Sequence, residues 1–406
     1  MPNKQSSSTV QPSQFTSTAP QFMDGIVCTG HYFDVPLDYG NPAGATIKVF
    51  AREVVSLENK DKGKAELPWL LFLQGGPGFP SPRPESNSGW LKRALQKYRV
   101  LLLDQRGTGL STPVTIDTLP MISDAQKQFE YLQNFRADNI VRDSEAIRKE
   151  LAGGAKWTLL GQSYGGFCIT TYLSLFPEAL DGAIYTGGLP PLVDQPDEVY
   201  RATYKRAIEK NQEFYQRYPA DAKLVEKVVS YLANNEVRLP CGEILTPRRF
   251  LQIGLNFGFK SAGIHPTHYL LESAFTPSAS GETLSFAFLH SVEAMAQFDT
   301  NPIYALLHEA IYCQGSASAW SAERVIKEFP EFAAQHRPHY FTGEMIYSWM
   351  FDDFRNLRPF KKAAQMLADY TDWPKIYDKD VLRKNSVPCA AAIYFGDMYV
   401  DRLYSE

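Results

Sequence analysis

The sequence predicts an α/β fold: a mostly parallel sheet with helices on both faces, carrying an inserted helical cap domain. Three observations predict it. Short apolar runs at 68–73, 99–104, 156–160 and 183–186 are separated by helical periodicity in the first half of the chain. From about 194 to 368 the chain reads as helical and aromatic-rich, with no strand that the pattern defends. The strand pattern then resumes at 388–397.

Taken in order, residues 1–24 are rich in Ser, Thr, Gln and Pro and read as a disordered tail. They lack the apolar segment of a secretory signal. Segments 32–35 and 46–55 read as antiparallel edge strands, the second alternating apolar and polar. Run 68–73 is continuously apolar and 99–104 is another apolar run between Arg99 and Asp104, as strands covered on both faces are. Ile140, Val141, Ile147 and Leu151 space an amphipathic helix over 139–151. Within the cap, helices are expected at 198–218, 222–233, 247–255 and 323–336. The organisation expected is a tail at 1–24, a first sheet segment at 25–192, the cap at 193–375 and a second sheet segment at 376–406.

A hydrophobic fraction of 44% is enough for a real core, and a net charge of −4 without a basic cluster argues against nucleic acid as a partner. No apolar run approaches the ~20 residues that span a bilayer, so no membrane association is expected. The five cysteines are scattered without C-x-x-C spacing, which fits free thiols in a reducing cytoplasm.

The chemistry centres on Gly161-Gln162-Ser163-Tyr164-Gly165, a G-x-S-x-G run between an apolar strand and a helix. In that context the motif is a nucleophile elbow: a strained turn lifts the Ser163 hydroxyl above the sheet. The N–H of Tyr164 supplies one oxyanion donor. The second comes from Gln74-Gly75-Gly76-Pro77-Gly78-Phe79 after the 68–73 strand, with Gly76 favoured and Gly75 the alternative. Asp104-Gln105-Arg106-Gly107-Thr108-Gly109 is too tightly spaced for a phosphate-binding fingerprint. It is expected to brace the site, with Asp104 and Arg106 paired and buried near the elbow. The orienting acid should end a later strand, which selects Asp397, with Asp401 as runner-up.

Leu73-Gln74-Gly75-Gly76-Pro77-Gly78, Asp104-Gln105-Arg106-Gly107-Thr108-Gly109-Leu110-Ser111 and Gly161-Gln162-Ser163-Tyr164-Gly165-Gly166 together resemble the prolyl aminopeptidase (proline iminopeptidase) family of α/β-hydrolases. Gly187-Gly188-Leu189-Pro190-Pro191 and Phe395-Gly396-Asp397-Met398-Tyr399-Val400-Asp401 resemble its longer-chain branch. The resemblance runs from about residue 28 onward and implies an α/β-hydrolase fold and a serine peptidase. Such an enzyme releases N-terminal proline from peptides through an acyl-enzyme, needs no metal or other cofactor, and closes its site with a helical cap. Gln74 departs from the pattern, where many members place His.

A second departure concerns the general base, which should follow the acid by roughly 20–30 residues in this topology. Nine residues follow Asp397 and none is His; His31, His265, His268, His290, His308, His336 and His339 all precede it. The sequence reading therefore expects a chain cut short, with the base beyond residue 406 and little or no activity in this polypeptide.

An aminopeptidase must also hold a protonated amine, which buried carboxylates do well. Glu309, in Leu306-Leu307-His308-Glu309-Ala310-Ile311-Tyr312, and Glu344, in Phe341-Thr342-Gly343-Glu344-Met345-Ile346-Tyr347-Ser348-Trp349, each sit among apolar and aromatic residues. The second segment looks like the family's amine-binding stretch. Tyr312 stands where H-E-x-x-H would need His, so a zinc reading fails. Phe79, Tyr164, Tyr347 and Trp349 are candidates for the walls of a proline pocket. The competing readings are another α/β-hydrolase, an esterase or amidase, and a non-catalytic protein that keeps the pocket. Serine at the elbow excludes mechanisms that use an Asp nucleophile there.

Overall fold

The computed structural model describes residues 15–63, 66–122, 124–259, 263–279 and 281–406. Its strands are β1 (Phe15–Ser17), β2 (Gln21–Met23), β3 (Ile26–Pro36), β4 (Thr46–Ser56), β5 (Trp69–Leu73), β6 (Arg99–Asp104), β7 (Trp157–Gln162), β8 (Leu180–Thr186), β9 (Phe275–Ser278), β10 (Gly281–Leu284) and β11 (Cys389–Ala392). The chain divides into two compact units. The first holds the described residues up to Pro113 with Tyr131–Thr186 and Ile376–Ala391; the second holds Val114–Glu130, Gly187–Lys375 and Ala392–Glu406.

The first unit is built on a sheet of order β1-β3-β4-β6-β5-β7-β8-β11, with β2 also paired to β3. The parallel pairs β6–β5, β5–β7 and β7–β8 form its centre, and β1, β2, β3 and β4 extend it antiparallel. Every residue of β5 and β6 is buried, as the apolar run of β5 and the apolar residues 100–103 of β6 require. Ile26, Val54, Leu70, Phe72, Val100 and Leu102 pack in one core cluster. The predicted amphipathic helix is Ala137–Leu151, and it buries Ile140, Val141, Ile147 and Leu151.

Two expectations for this unit are corrected. Residues 15–24 are not a disordered lead-in, because β1 and β2 pair with β3. Cross-strand stacking of Phe15 on Phe33, at 5.2 Å between ring centroids, adds packing to the ladder that composition alone hides. Residues 1–14 lie outside the described residues. Asp104 and Arg106 are both buried, yet they do not pair with each other. Asp104 takes a bidentate bond from Arg83, at 2.8 and 2.6 Å. Arg106 reaches the opposite way to Asp143, with Nε at 2.7 Å and Nη2 at 2.6 Å. Its remaining donors go to the carbonyls of Pro36, Leu37 and Asn134, and Tyr39 also donates to Asp143 at 2.8 Å. A buried guanidinium needs all of its donors met, and a loop neighbour could not have met them.

In the second unit the helices Asp197–Arg217 and Asp221–Asn234 match the expected spans within a residue at each end. The expected helix at 247–255 is α-helical only over Pro247–Leu251 and tightens to 3₁₀ over Gln252–Gly258. The expected helix at 323–336 is instead Ser321–Val325 followed by single 3₁₀ turns, because Pro330 cannot donate to a continuing ladder. A block read as strandless also contains the hairpin β9–β10, where Thr276 faces Thr283 and Phe275 faces Leu284. This unit further takes up 114–130 and 392–406, beyond the expected insertion. Among the described residues no helix is long and apolar enough to cross a membrane. None of the five cysteines forms a disulfide among the described residues.

Candidate active site

Ser163 sits between β7 and the helix Tyr164–Leu175 with φ +52° and ψ −122°. A non-glycine residue there is strained, and the strain persists only because its surroundings fix it. Ser163 N–H donates to the Thr186 carbonyl at 3.0 Å, and Gly166 N–H closes the turn onto the Ser163 carbonyl at 2.7 Å. The flanking glycines are obligatory for space. A Cβ on Gly161 would stand 2.5 Å from the Gly165 backbone, and one on Gly165 would overlap the Leu73 carbonyl. The elbow is therefore seated directly on the end of β5.

The loop after β5 lies against the same turn. A Cβ on Gly75 would stand 3.0 Å from Ser163 Cβ. Gly76 has φ +136°, a conformation that favours glycine, and Gln105 Nε2 donates to the Gln74 carbonyl at 3.0 Å. Tyr164 opens the helix, so its N–H is among those a helix leaves unbonded within itself. Its ring is buried, and burial pushes its phenol well above the ordinary range. Ser163, Gly75, Gly76 and Tyr164 are thus brought together within the first unit.

The second unit holds the carboxylates. Asp397 Oδ1 accepts from the N–H groups of Tyr399 at 2.8 Å and Val400 at 3.0 Å, which fixes the carboxyl and leaves Oδ2 toward Gly187. Burial raises its pKa; those two amides oppose the rise, and Asp401 adds to it. Asp401 is placed differently. It is paired with Arg206 at 2.7 Å and caps the last helical turn through the N–H of Leu403 at 2.8 Å.

Glu344 receives the hydroxyl of Tyr304 on Oε1. His308 Nε2 stands 4.0 Å from Oε2. Burial holds His308 down at about 4, so that ring is neutral and does not balance the carboxylate. Burial pushes Glu344 up to about 8; the Tyr304 bond opposes this and the charge of Asp397 adds to it. Tyr200, Tyr312 and Tyr399 also feel the Glu344 charge. Glu309 is used otherwise: its carboxylate accepts from the N–H groups of Ser321 at 3.1 Å and Ala322 at 2.9 Å, at the start of the helix Ser321–Val325. Burial raises it to about 7. Tyr347 bonds Tyr204 Oη at 3.0 Å, and Trp349 stacks on Tyr347 at 5.3 Å. Tyr304, Tyr399 and His308 were not singled out from sequence. The one available signal was the i, i+4 spacing of Tyr304 and His308 beside a carboxylate-bearing apolar stretch.

The chain is 51% identical to the proline iminopeptidase of Aeromonas sobria over 95% of its own length and 89% of that protein. The chain belongs to the proline iminopeptidase family. A second proline iminopeptidase, aneH of Aspergillus aculeatus, is 39% identical over 91% of this chain and 83% of its own length. The tripeptidyl aminopeptidase of Streptomyces lividans matches more distantly, at 26% identity over 36% of this chain and 33% of that protein. The α/β hydrolase fold family matches residues 68–231, which include the β5 loop and the elbow. In this member of the proline iminopeptidase family, the glycine-seated serine and the sheet beneath it are those of an α/β-hydrolase.

Proposed function

We propose that the site removes an N-terminal proline from peptides through an acyl-enzyme on Ser163. Ser163 attacks the prolyl carbonyl, and the oxyanion is met by the N–H groups of Tyr164 and Gly76. Asp397 orients the base: its Oδ1 is anchored by two amides, and Oδ2 remains to receive an imidazole N–H. Asp401 is less suited, because Arg206 already neutralises it.

Glu344 carries the specificity in this reading. It is a partly buried carboxylate whose basic neighbour, His308, is neutral. Such a group is poorly satisfied until a cation arrives, and the ammonium of a peptide N-terminus is that cation. Glu309, with two backbone amides on its carboxylate, is assigned to holding the helix Ser321–Val325 rather than to the amine. Tyr347 and Trp349 offer aromatic surface in the same unit.

The seven histidines are all engaged elsewhere. His31 bonds Ser17 and Glu53; His268 lies between Asp221 and Glu272; His265 bonds Tyr218; His336 bonds the Pro338 carbonyl; His339 faces Glu226; His290 stacks on Phe286; His308 is buried beside Glu344. Binding of a prolyl ligand through Glu344 needs no base and is expected of this chain as it stands.

The test is binding. Calorimetry with prolinamide should show saturable binding that Glu344→Gln weakens strongly. Unchanged affinity in that variant would remove Glu344 from the amine site. A panel of prolyl arylamides and acyl esters separates peptidase from esterase.

A further inference from the structure

The first unit contains a second serine backed by a histidine and a carboxylate, far along the sheet order from β7. Ser17 Oγ lies 2.8 Å from His31 Nδ1. His31 Nε2 lies 2.9 Å from Glu53 Oε2. Arg99 closes the relay by donating to Glu53 Oε1, and its other arm binds the Lys62 carbonyl at 2.7 Å. His31 and Glu53 are buried, at 3% and 8% exposure, whereas Ser17 is exposed.

The direction of each bond follows from the charges. Desolvation works to raise Glu53, but the His31 bond and Arg99 outweigh it, and its pKa is held below the ordinary value. An ionised Glu53 can only accept, so Nε2 carries the proton between them. The neutral tautomer with that proton leaves the Nδ1 lone pair facing Ser17, whose O–H can donate to it. That is the sense required of a general base.

Register explains why the contact forms. Thr18 N–H donates to the Gly30 carbonyl at 2.9 Å, so the neighbouring Ser17–His31 pair is a non-hydrogen-bonded one. Side chains of such pairs approach most closely. The same alternation turns the Ser17 N–H away from β3, to the side of β1 that pairs with no strand among the described residues, where a developing oxyanion could use it.

We propose that Ser17 is a second base-activated nucleophile, which accepts acyl groups from activated esters. In the step, Ser17 Oγ forms a bond to the acyl carbon and the bond from that carbon to the leaving oxygen breaks. The hydroxyl proton passes to His31 Nδ1 and then to the departing oxygen.

The experiment treats the Ser163→Ala chain with p-nitrophenyl acetate and maps acetylation by peptide mass spectrometry. Acetyl on Ser17 is expected, formed at least tenfold more slowly after His31→Gln, which keeps two hydrogen-bonding groups but supplies no base. Absence of acetyl on Ser17, or an equal rate in the His31→Gln chain, overturns the proposal. Should His31→Gln unfold, Ser17→Cys replaces it. The new thiol should then react with iodoacetamide faster than the exposed Cys241 and Cys389 of the same chain, and a slower or equal rate overturns the assignment.

Discussion

Tyr304, buried within the second unit, donates its hydroxyl to Oε1 of the partly buried Glu344. The bond favours the ionised carboxylate, so removing it moves the Glu344 pKa further up. Tyr304→Phe should shift the rising limb of prolinamide binding to higher pH and weaken binding near neutrality by roughly tenfold, the scale of one hydrogen bond to a charged group. Calorimetric titrations across pH check this. A limb that stays in place would mean the tyrosine does not act through Glu344.

Glu344 also leaves a signature in stability. Its pKa is about 8 in the fold against an ordinary 4.5. Between those values the folded chain holds a proton that the unfolded chain has released, so stability falls as pH rises through the window. Glu344→Gln mimics the protonated form. It should match the parent near pH 4.5 and exceed it above pH 8 by about 1–3 kcal/mol in urea unfolding.

Glu309 should behave as a structural group. Glu309→Ala removes the acceptor for the amides of Ser321 and Ala322. A loss of about 1–3 kcal/mol of stability is expected, with prolinamide affinity unchanged once the fold is confirmed. A selective loss of affinity would restore Glu309 to the amine site.

The elbow stores strain at one residue. Ser163→Gly relieves a positive φ that glycine adopts freely, so it should raise stability by roughly 1 kcal/mol. Ser163→Ala keeps the strain and serves as the control. Thermal unfolding of the two variants side by side gives the difference.

Arg106 and Asp143 form a fully buried pair. Asp143→Ala strands the guanidinium without a counter-charge and should cost about 3–5 kcal/mol by chemical denaturation.

Much of this was legible in the sequence because one physical rule acted alone. The run at β5 is apolar throughout and β6 is apolar between its charged ends, and only a strand covered on both faces needs that. The glycines around Ser163 carry no chemistry, so their presence already spoke of crowding. Legibility ended where partners come from distant sequence. Arg106 stands two residues from Asp104, yet its acceptors lie at 36, 37, 134 and 143, and no local pattern announces them. Glu309 and Glu344 look alike in sequence, each a lone acid in an apolar stretch. Only the fold shows that one meets backbone amides and the other a phenol. The strands at 15–17 and 21–23 were hidden because their support, a ladder on β3 with the Phe15–Phe33 stack and the Ser17–His31 bond, comes from later residues.

The Arg106 anchor has a consequence for how the molecule opens. The turn at 36–39 is surface-proximal by position, and segments of that kind ordinarily fray on their own. Here its carbonyls share one guanidinium with the helix Ala137–Leu151. Peeling it away would take the Pro36 and Leu37 carbonyls from a buried guanidinium and the Tyr39 hydroxyl from Asp143 at once. Local breathing is thereby converted into a collective event. Amides in 36–39 should exchange with solvent as slowly as those of the helix, and proteases should find no early foothold between β3 and β4.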